Sequence, residues 1–323
     1  MTTHSTLTTR TATALITHPE SDQPAAAEAP RLRFRSLASG SGGNALLVQW
    51  VHEAVQRSIL VDCGLSEREL HARLLANGCE PSSIDLVLLT HEHDDHLGCA
   101  LSFASRNRIA LGASLGTLLA AGLSTAQGGR ALARGLRWKR LYPGHCLRLF
   151  GLEVEPVAVP HDAREPLQFV LHLGKGLPTA SDRSGVSLGI LTDLGHVSPA
   201  VLQRYRQLDA LVIECNHHLP MLERCNYPAS VKRRIAGNWG HLSNAQAASF
   251  LHRIKGDRLR VIVAAHLSRQ NNHPDRVRES LAAAIGTQAT ERLVIADQVN
   301  GFDWQIVEGL SQAYTDHLPP QGQ

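Results

Sequence analysis

Leu88-Leu89-Thr90-His91-Glu92-His93-Asp94-Asp95-His96-Leu97-Gly98 decides the reading of this chain. The apolar run Ile84-Asp85-Leu86-Val87-Leu88-Leu89 ahead of it has the length and composition of a buried strand. Four metal-capable side chains, His91, His93, Asp95 and His96, therefore arrive within six residues at the C-terminal end of one strand. Imidazole suits zinc and other transition metals, and carboxylate also suits harder ions such as manganese. A structural zinc site uses four ligands, often with sulfur, and no sulfur is offered here. A histidine-rich solvated loop is the ordinary alternative. Metal-assisted catalysis is the expectation.

Three further strand candidates end on ligand-type residues. Val157-Ala158-Val159-Pro160 runs into His161, Gly189-Ile190-Leu191-Thr192 into Asp193, and Val261 to Ala265 into His266. Any one of these is commonplace at a strand end. Together with the cluster they supply five histidines and two aspartates, which fits two divalent ions, zinc or manganese, sharing a carboxylate. One ion would take His91, His93 and His161, the other Asp95, His96 and His266, with Asp193 between them. Such a pair lowers the pKa of water and clamps the attacking and leaving oxygens of a displacement at phosphorus. Asp62, after Ile59-Leu60-Val61, is expected to steady the histidines from behind, because a ligating imidazole needs an acceptor for its other nitrogen.

Around this centre the chain reads as one large α/β unit. Its 323 residues could form two average domains, but no linker interrupts 31–323, which is expected to be a single domain. Hydrophobic content is 43% with only 4% aromatic, so the core must be built from Leu, Val, Ile and Ala. A net charge of +3 argues neither for nor against nucleic acid. The six cysteines form no Cys-x-x-Cys pair and no regular framework, as for thiols of a reducing compartment. Residues 1–30, rich in Thr, Ala, Ser and Pro, are expected to be a disordered tail, since Ala14-Leu15-Ile16 is too short an apolar run for a secretory signal. No run approaches the roughly 18 apolar residues of a membrane span. The expectation is a cytoplasmic protein that does not engage a membrane.

Short apolar runs mark strands at Asn44 to Trp50, Ser58 to Asp62, Leu152 to Pro160, Phe169 to Leu173, Ser187 to Thr192, Leu208 to Glu214 and Arg260 to Ala265. Helical spacing covers Leu65 to Ala76, with Leu70, Leu74 and Leu75 on its buried face, and also Gly98 to Ser105, Pro199 to Arg206, Pro228 to Ile235 and Asn244 to Ile254. Residues 109–150 are less legible. They carry Arg130, Arg134, Arg137, Lys139 and Arg140, for which a solvated basic face is the ordinary reading and a phosphate contact the alternative. Lys232-Arg233-Arg234 has the same two readings. Two strand-rich halves with interspersed helices predict a four-layer αββα sandwich, helices outside two facing sheets.

The ordered set Asp62, His91-x-His93-x-Asp95-His96, His161, Asp193 and His266 resembles the metallo-β-lactamase superfamily over essentially all of 31–323. That resemblance implies an αββα sandwich with a dinuclear site at one edge of its sheets. Ser36 to Asn44, Glu214-Cys215-Asn216-His217, Gly240 to Asn244 and Ala265 to Asn272 look like the bacterial YycJ (WalJ, VicX) group, which implies 5′–3′ exonuclease activity on DNA. Gly240-His241-Leu242-Ser243-Asn244 also resembles the histidine segment of ribonuclease Z. His241 would then be a catalytic proton donor or phosphate contact, beside Asp95 as catalytic carboxylate and ligand. The group usually has an acidic residue where this chain has His218, so no role is transferred to that position.

The minor residues keep plainer readings beside the functional ones. His217 and His218 end a strand and suit the surface or a shell around the ligands. His241 precedes a helix capped by Ser243, and helix N-termini attract anions. Ser39, Ser41 and Asn44 either line the substrate cleft or simply serve the tight turn Ser39-Gly40-Ser41-Gly42-Gly43-Asn44. The resulting expectation is a dimetal phosphodiesterase acting on nucleic acid, DNA before RNA, most simply as an exonuclease; a homo-oligomer is compatible with it. A thioesterase or lactonase of the glyoxalase II type is the alternative, and a retained fold serving as a regulatory binding protein the non-enzymatic one.

Overall fold

The computed structural model describes residues 29–174, 185–254, 256–286 and 293–309. Most of the expected N-terminal tail, residues 1–28, lies outside them.

The first strands form one half of the molecule: β1 (Arg31–Ala38), β2 (Ala45–His52), β3 (Val55–Val61), β4 (Leu86–Leu88), β5 (Ala110–Ala113) and β6 (Arg137–Arg140). A second sheet takes β7 (Leu147–Leu149), β8 (Leu152–Ala158), β9 (Leu167–Leu173), β10 (Val186–Leu191), β11 (Ala210–Glu214), β12 (Val261–Ala265) and β13 (Leu293–Ile295). The last strand, β14 (Phe302–Glu308), returns to the first sheet, whose order is β14-β1-β2-β3-β4-β5-β6. The second runs β13-β12-β11-β10-β9-β8-β7. In both sheets antiparallel pairing gives way to a parallel block, β3 to β6 in one and β10 to β13 in the other. Parallel strands end on the same edge, so each sheet delivers several strand C-termini to one rim.

The facing surfaces share one core. Phe34, Val48, Ile59 and Leu88 of the first sheet belong to the same cluster as Val154, Phe169, Leu188 and Val212 of the second. The alternate residues, Leu47, Leu60 and Val87, pack outward against α1 (Glu67–Ala76) and, beyond α2 (Asp94–Leu97), against α3 (Ala100–Asn107) and α4 (Leu115–Ala120), while α5 (Ala126–Ala133) lies against α3. On the far side Val170, Leu211 and Ile213 pack against α6 (Pro199–Arg204) and, beyond α7 (Leu219–Arg224) and α8 (Ala229–Ile235), against α9 (Asn244–Ile254) and α10 (Pro274–Ile285). This is the expected αββα sandwich, and the period of two along each strand is what gives a sheet two apolar faces.

Residues 109–150 resolve into β5, α4, α5, β6 and β7, short elements whose apolar runs are too brief to show a period. One expectation fails. Leu70 and Leu74 of α1 are fully buried, but Leu75 is 43% exposed. At 3.6 residues per turn the position after Leu74 lies about 100° round the helix, and it faces water.

Candidate metal centre

Hairpin pairing and parallel pairing together bring the ligand-type residues to one rim. Asp62 follows β3, His91 lies three residues past β4, His161 follows β8, Asp193 follows β10 and His266 follows β12. Asp62, Asp193 and His266 all take positive φ, at 63°, 53° and 56°. L-residues seldom adopt that conformation, and such backbone persists only where the surroundings over-determine it, typically at functional sites. Here it swings each side chain off its strand toward the gap between the sheets' ends. The loop carrying the His91–His96 segment is itself clamped. Gly64 lies so close under it that a Cβ there would stand 1.7 Å from the Asp95 carbonyl oxygen, and Asn44 and Cys63 donate backbone N–H groups to Asp95 and His96.

All seven expected ligands converge. Nitrogens or oxygens of His91, His93 and His161 lie within 4.8 Å of one another, and so do those of Asp95, His96 and His266; His91, His96 and Asp193 form a third such set that joins the first two. Within the first set His91 Nε2 stands 3.0 Å and His161 Nε2 3.3 Å from His93 Nδ1. Their outer nitrogens are occupied elsewhere, His91 Nδ1 by the Thr90 hydroxyl at 3.0 Å and His161 Nδ1 by the Gly240 carbonyl at 3.0 Å. Three buried or half-buried ring nitrogens this close together are an arrangement that a cation stabilises. The same holds on the other side. Asp193 Oδ2 is 3.1 Å from His96 Nε2, yet it and His266 Nε2 are buried without a hydrogen bond of proper geometry among the described residues. Buried polar atoms without partners are costly, so these orphans fit a bound ion. The donor set, five imidazoles and two carboxylates with no thiolate, suits zinc or manganese.

Of the expected supporting residues, Asp62, Asn44 and Ser39 bond to ligand-type residues. Asp62 accepts from Thr90 N at 2.9 Å and from His96 Nδ1 at 2.8 Å, which fixes the His96 ring with Nε2 inward. Asn44 Nδ2 donates to the Asp95 carbonyl at 3.1 Å and lies 3.1 Å from His96 Nε2; the Ser39 hydroxyl accepts from His266 N at 2.9 Å. Both therefore brace ligand loops, while Ser41 is exposed. His217 is buried, its imidazole pushed down to about 4 by burial against the opposing pull of Glu214. Ser243 and Gln246 cap α9 reciprocally, each backbone N–H bonded to the other's side chain.

Sequence reasoning passed over Glu214. This carboxylate at the end of β11 is fully buried, and its Oε1 accepts from His266 Nδ1 at 2.9 Å and from His241 Nδ1 at 2.8 Å. Oε2 accepts from Leu242 N at 2.8 Å and Leu194 N at 3.3 Å. Burial alone would raise its pKa, but His241 and His266 outweigh that and hold it at about 2. The partners respond in kind. Burial depresses His266, and Asp193, Asp95 and Glu214 reverse the effect and lift it to about 10. Burial likewise opposes the charge on His241, and Glu214 raises it. Asp193 is carried well below the carboxylate range by His266 and His96 in spite of complete burial. His91 and His161, by contrast, are lowered chiefly by burial. The signal for Glu214 was its position at the end of the strand lying between those that deliver Asp193 and His266.

His241 differs from the ligands around it. It is 21% exposed at the side chain, close to Asp95 at 24% and unlike the nearly sealed His266 and Asp193, and with Asp193, Glu214 and His266 it forms a fourth set of mutually close donor atoms; its Nδ1 is committed to Glu214, which leaves Nε2 for a bound molecule. In Lys232-Arg233-Arg234, Arg234 pairs with Asp162 at 2.5 Å and Lys232 donates to the Glu223 carbonyl, whereas Arg233 has no carboxylate partner among the described residues.

A family model described as a beta-lactamase superfamily domain matches residues 57–266. The chain is 30% identical over 260 residues to the exodeoxyribonuclease YycJ of Bacillus anthracis, spanning 79% of this chain and 89% of the relative. It is 32% identical over 241 residues to the exodeoxyribonuclease WalJ of Streptococcus pneumoniae, spanning 74% and 83%. Among solved structures, the metallo-β-lactamase-fold protein YhfI of Bacillus subtilis superposes with a TM-score of 0.59 at 14% identity over 86% of this chain and all of that one. Human tRNase Z, short form, superposes with a TM-score of 0.56 at 14% identity over 85% and 98%. At such identities these two likenesses concern the fold alone. No helix among the described residues is long and apolar enough to cross a membrane.

Proposed function

The chain belongs to the β-lactamase superfamily and is a metal-dependent hydrolase of nuclease or phosphodiesterase type; from that premise we propose that it is a 5′–3′ DNA exonuclease with two divalent ions, zinc or manganese, held by His91, His93, Asp95, His96, His161, Asp193 and His266. The observation that carries the reading is the His241–Glu214 pair at the open margin of a seven-ligand cluster. Two such ions, when bound, lower the pKa of water and neutralise oxygens on phosphorus. The protein's own part is to orient and to move a proton. Asp62 and Glu214 fix the tautomers of His96 and His266, and Asp193 joins the two halves of the cluster. Glu214 keeps the proton on His241 Nδ1, and the carboxylate's charge favours the imidazolium, so Nε2 can donate to the leaving oxygen. The DNA substrate rests on the exodeoxyribonuclease relatives, which the chain matches over most of its length.

The test is digestion of end-labelled single- and double-stranded DNA and RNA, with zinc, manganese or magnesium, beside a thioester substrate. Mononucleotides released from the 5′ end of DNA are expected. RNA-only cleavage, internal cuts or thioester turnover alone would overturn the assignment.

A further inference from the structure

Immediately before His241 the chain runs through a short exposed helix and a loop. Helix α8 (Ala229–Ile235) has no buried residue and carries Lys232-Arg233-Arg234 in its last turn, and the loop beyond it carries Trp239, 62% exposed. No other large hydrophobic side chain among the described residues is more exposed. Single apolar residues on a surface are ordinary, and exposure alone would carry nothing. Two further observations set this indole apart.

The first is place. Trp239 is two residues from His241, and the Gly240 carbonyl between them accepts from the ligand-type residue His161 at 3.0 Å. The second is rigidity. The Trp239 carbonyl accepts from Asp162 N at 2.9 Å, the Asn238 carbonyl pairs with His196 Nδ1 at 2.9 Å, and Arg234 is tied to Asp162 at 2.5 Å. Gly195 packs so tightly beneath the loop that a Cβ there would stand 2.2 Å from Asn238 and 2.5 Å from the Trp239 nitrogen. These contacts fasten the loop backbone at Asn238 and Trp239, and the indole it presents to water is two residues from His241 in the chain. An exposed aromatic face on a fastened loop that follows the exposed Arg233, which has no carboxylate partner among the described residues, is the composition of a surface that stacks bases of single-stranded nucleic acid.

We infer that Trp239 is the stacking platform for a nucleobase flanking the scissile phosphate. The inference rests on the nuclease reading above and adds a base-binding residue to it. Every base offers a π-face, so the contact is indifferent to sequence, and it holds the strand unstacked with its phosphate at the ligand cluster.

The experiment compares wild type, Trp239→Ala and Trp239→Phe on a single-stranded oligonucleotide, on the same oligonucleotide with an abasic sugar at each of its first three positions, and on bis(4-nitrophenyl) phosphate. Stacking contributes about 1–3 kcal/mol per base, which is a loss of roughly 5–150-fold in kcat/KM for Trp239→Ala on the intact oligonucleotide. Trp239→Phe should recover most of it. On the oligonucleotide with the critical base removed, wild type and Trp239→Ala should become equal. Equal turnover of wild type and Trp239→Ala on the intact oligonucleotide, or losses that persist undiminished at every abasic position, would overturn the inference. A wild-type protein that cleaves the small diester but no nucleic acid overturns the nuclease reading instead.

Discussion

Replacing Glu214 by Gln removes one charge and changes no shape, so its effect isolates what the carboxylate does. Four donors reach it: His266 Nδ1 and His241 Nδ1 on Oε1, Leu242 N and Leu194 N on Oε2. A glutamine offers one acceptor oxygen and one NH2. Whichever way the amide turns, two of these donors face a donor, unless an imidazole moves its proton to Nε2 and gives up the lone pair that an ion needs. With the amide oxygen toward the backbone, both imidazoles lose their acceptor; with it toward the imidazoles, the two N–H groups lose theirs. Each buried donor left unsatisfied costs about 1–3 kcal/mol. The substitution should therefore cost roughly 2–6 kcal/mol in all, divided between the fold and the site. At the site, loss of an outer partner of a ligating histidine lowers metal affinity or activity about 10–100-fold, or roughly 1.4–2.7 kcal/mol.

The assay is competition for zinc against a coloured chelator, run beside thermal unfolding and turnover of bis(4-nitrophenyl) phosphate. The expected result is a folded protein with a lower Tm, weaker binding of one ion and reduced turnover. Glu214→Asp, which keeps the charge but shortens the reach, should fall between it and wild type. A folded Glu214→Gln protein with unchanged ion affinity and unchanged turnover would refute the reasoning, and Glu214 would be merely a buried acceptor for the loop.

Three other outcomes follow from the same geometry. Asp193→Ala should lose activity and at least one ion, since Asp193 contacts both His96 and His266; two ions per chain with normal turnover on elemental analysis would contradict its bridging position. His241→Ala should keep wild-type metal content while turnover drops by about 10²–10⁴-fold if His241 is the general acid, with part of the loss recovered on a substrate with a better leaving group; a lost ion would make His241 a ligand instead. In the ion-free protein the folded His266 holds its proton up to about pH 10 against an ordinary imidazole value of 6.5, so its contribution to stability is full below about 6.5 and fades as pH rises through 10. Ion-free Tm should fall across that window while zinc affinity climbs, because the ion displaces that proton; a flat affinity between pH 7 and 9 would count against it.

What the sequence made legible and what it hid have the same physical origin. His91, His93, Asp95 and His96 could be read because they are neighbours on one loop, and His161, Asp193 and His266 because each directly follows an apolar run that can only be a strand. Strand ends are marked by composition. The order of strands in a sheet is not. Glu214 also ends a strand, yet nothing local distinguishes it from any acidic residue that closes a buried run. Its meaning comes from β11 lying between β10 and β12, in parallel register with both, which sets its carboxylate between the residues those strands deliver. Ser39 and Asn44 were ambiguous for a related reason, since a small polar residue in a glycine-rich turn suits a cleft or a brace equally well until the partner is known. The partners, His266 N and the Asp95 carbonyl, lie 227 and 51 residues away. Leu75 failed because its type gave no indication of which side of α1 met the sheet. Local chemistry thus marks the groups suited to hold an ion, while the groups that orient them are chosen by topology and become visible only once the two sheets are assembled.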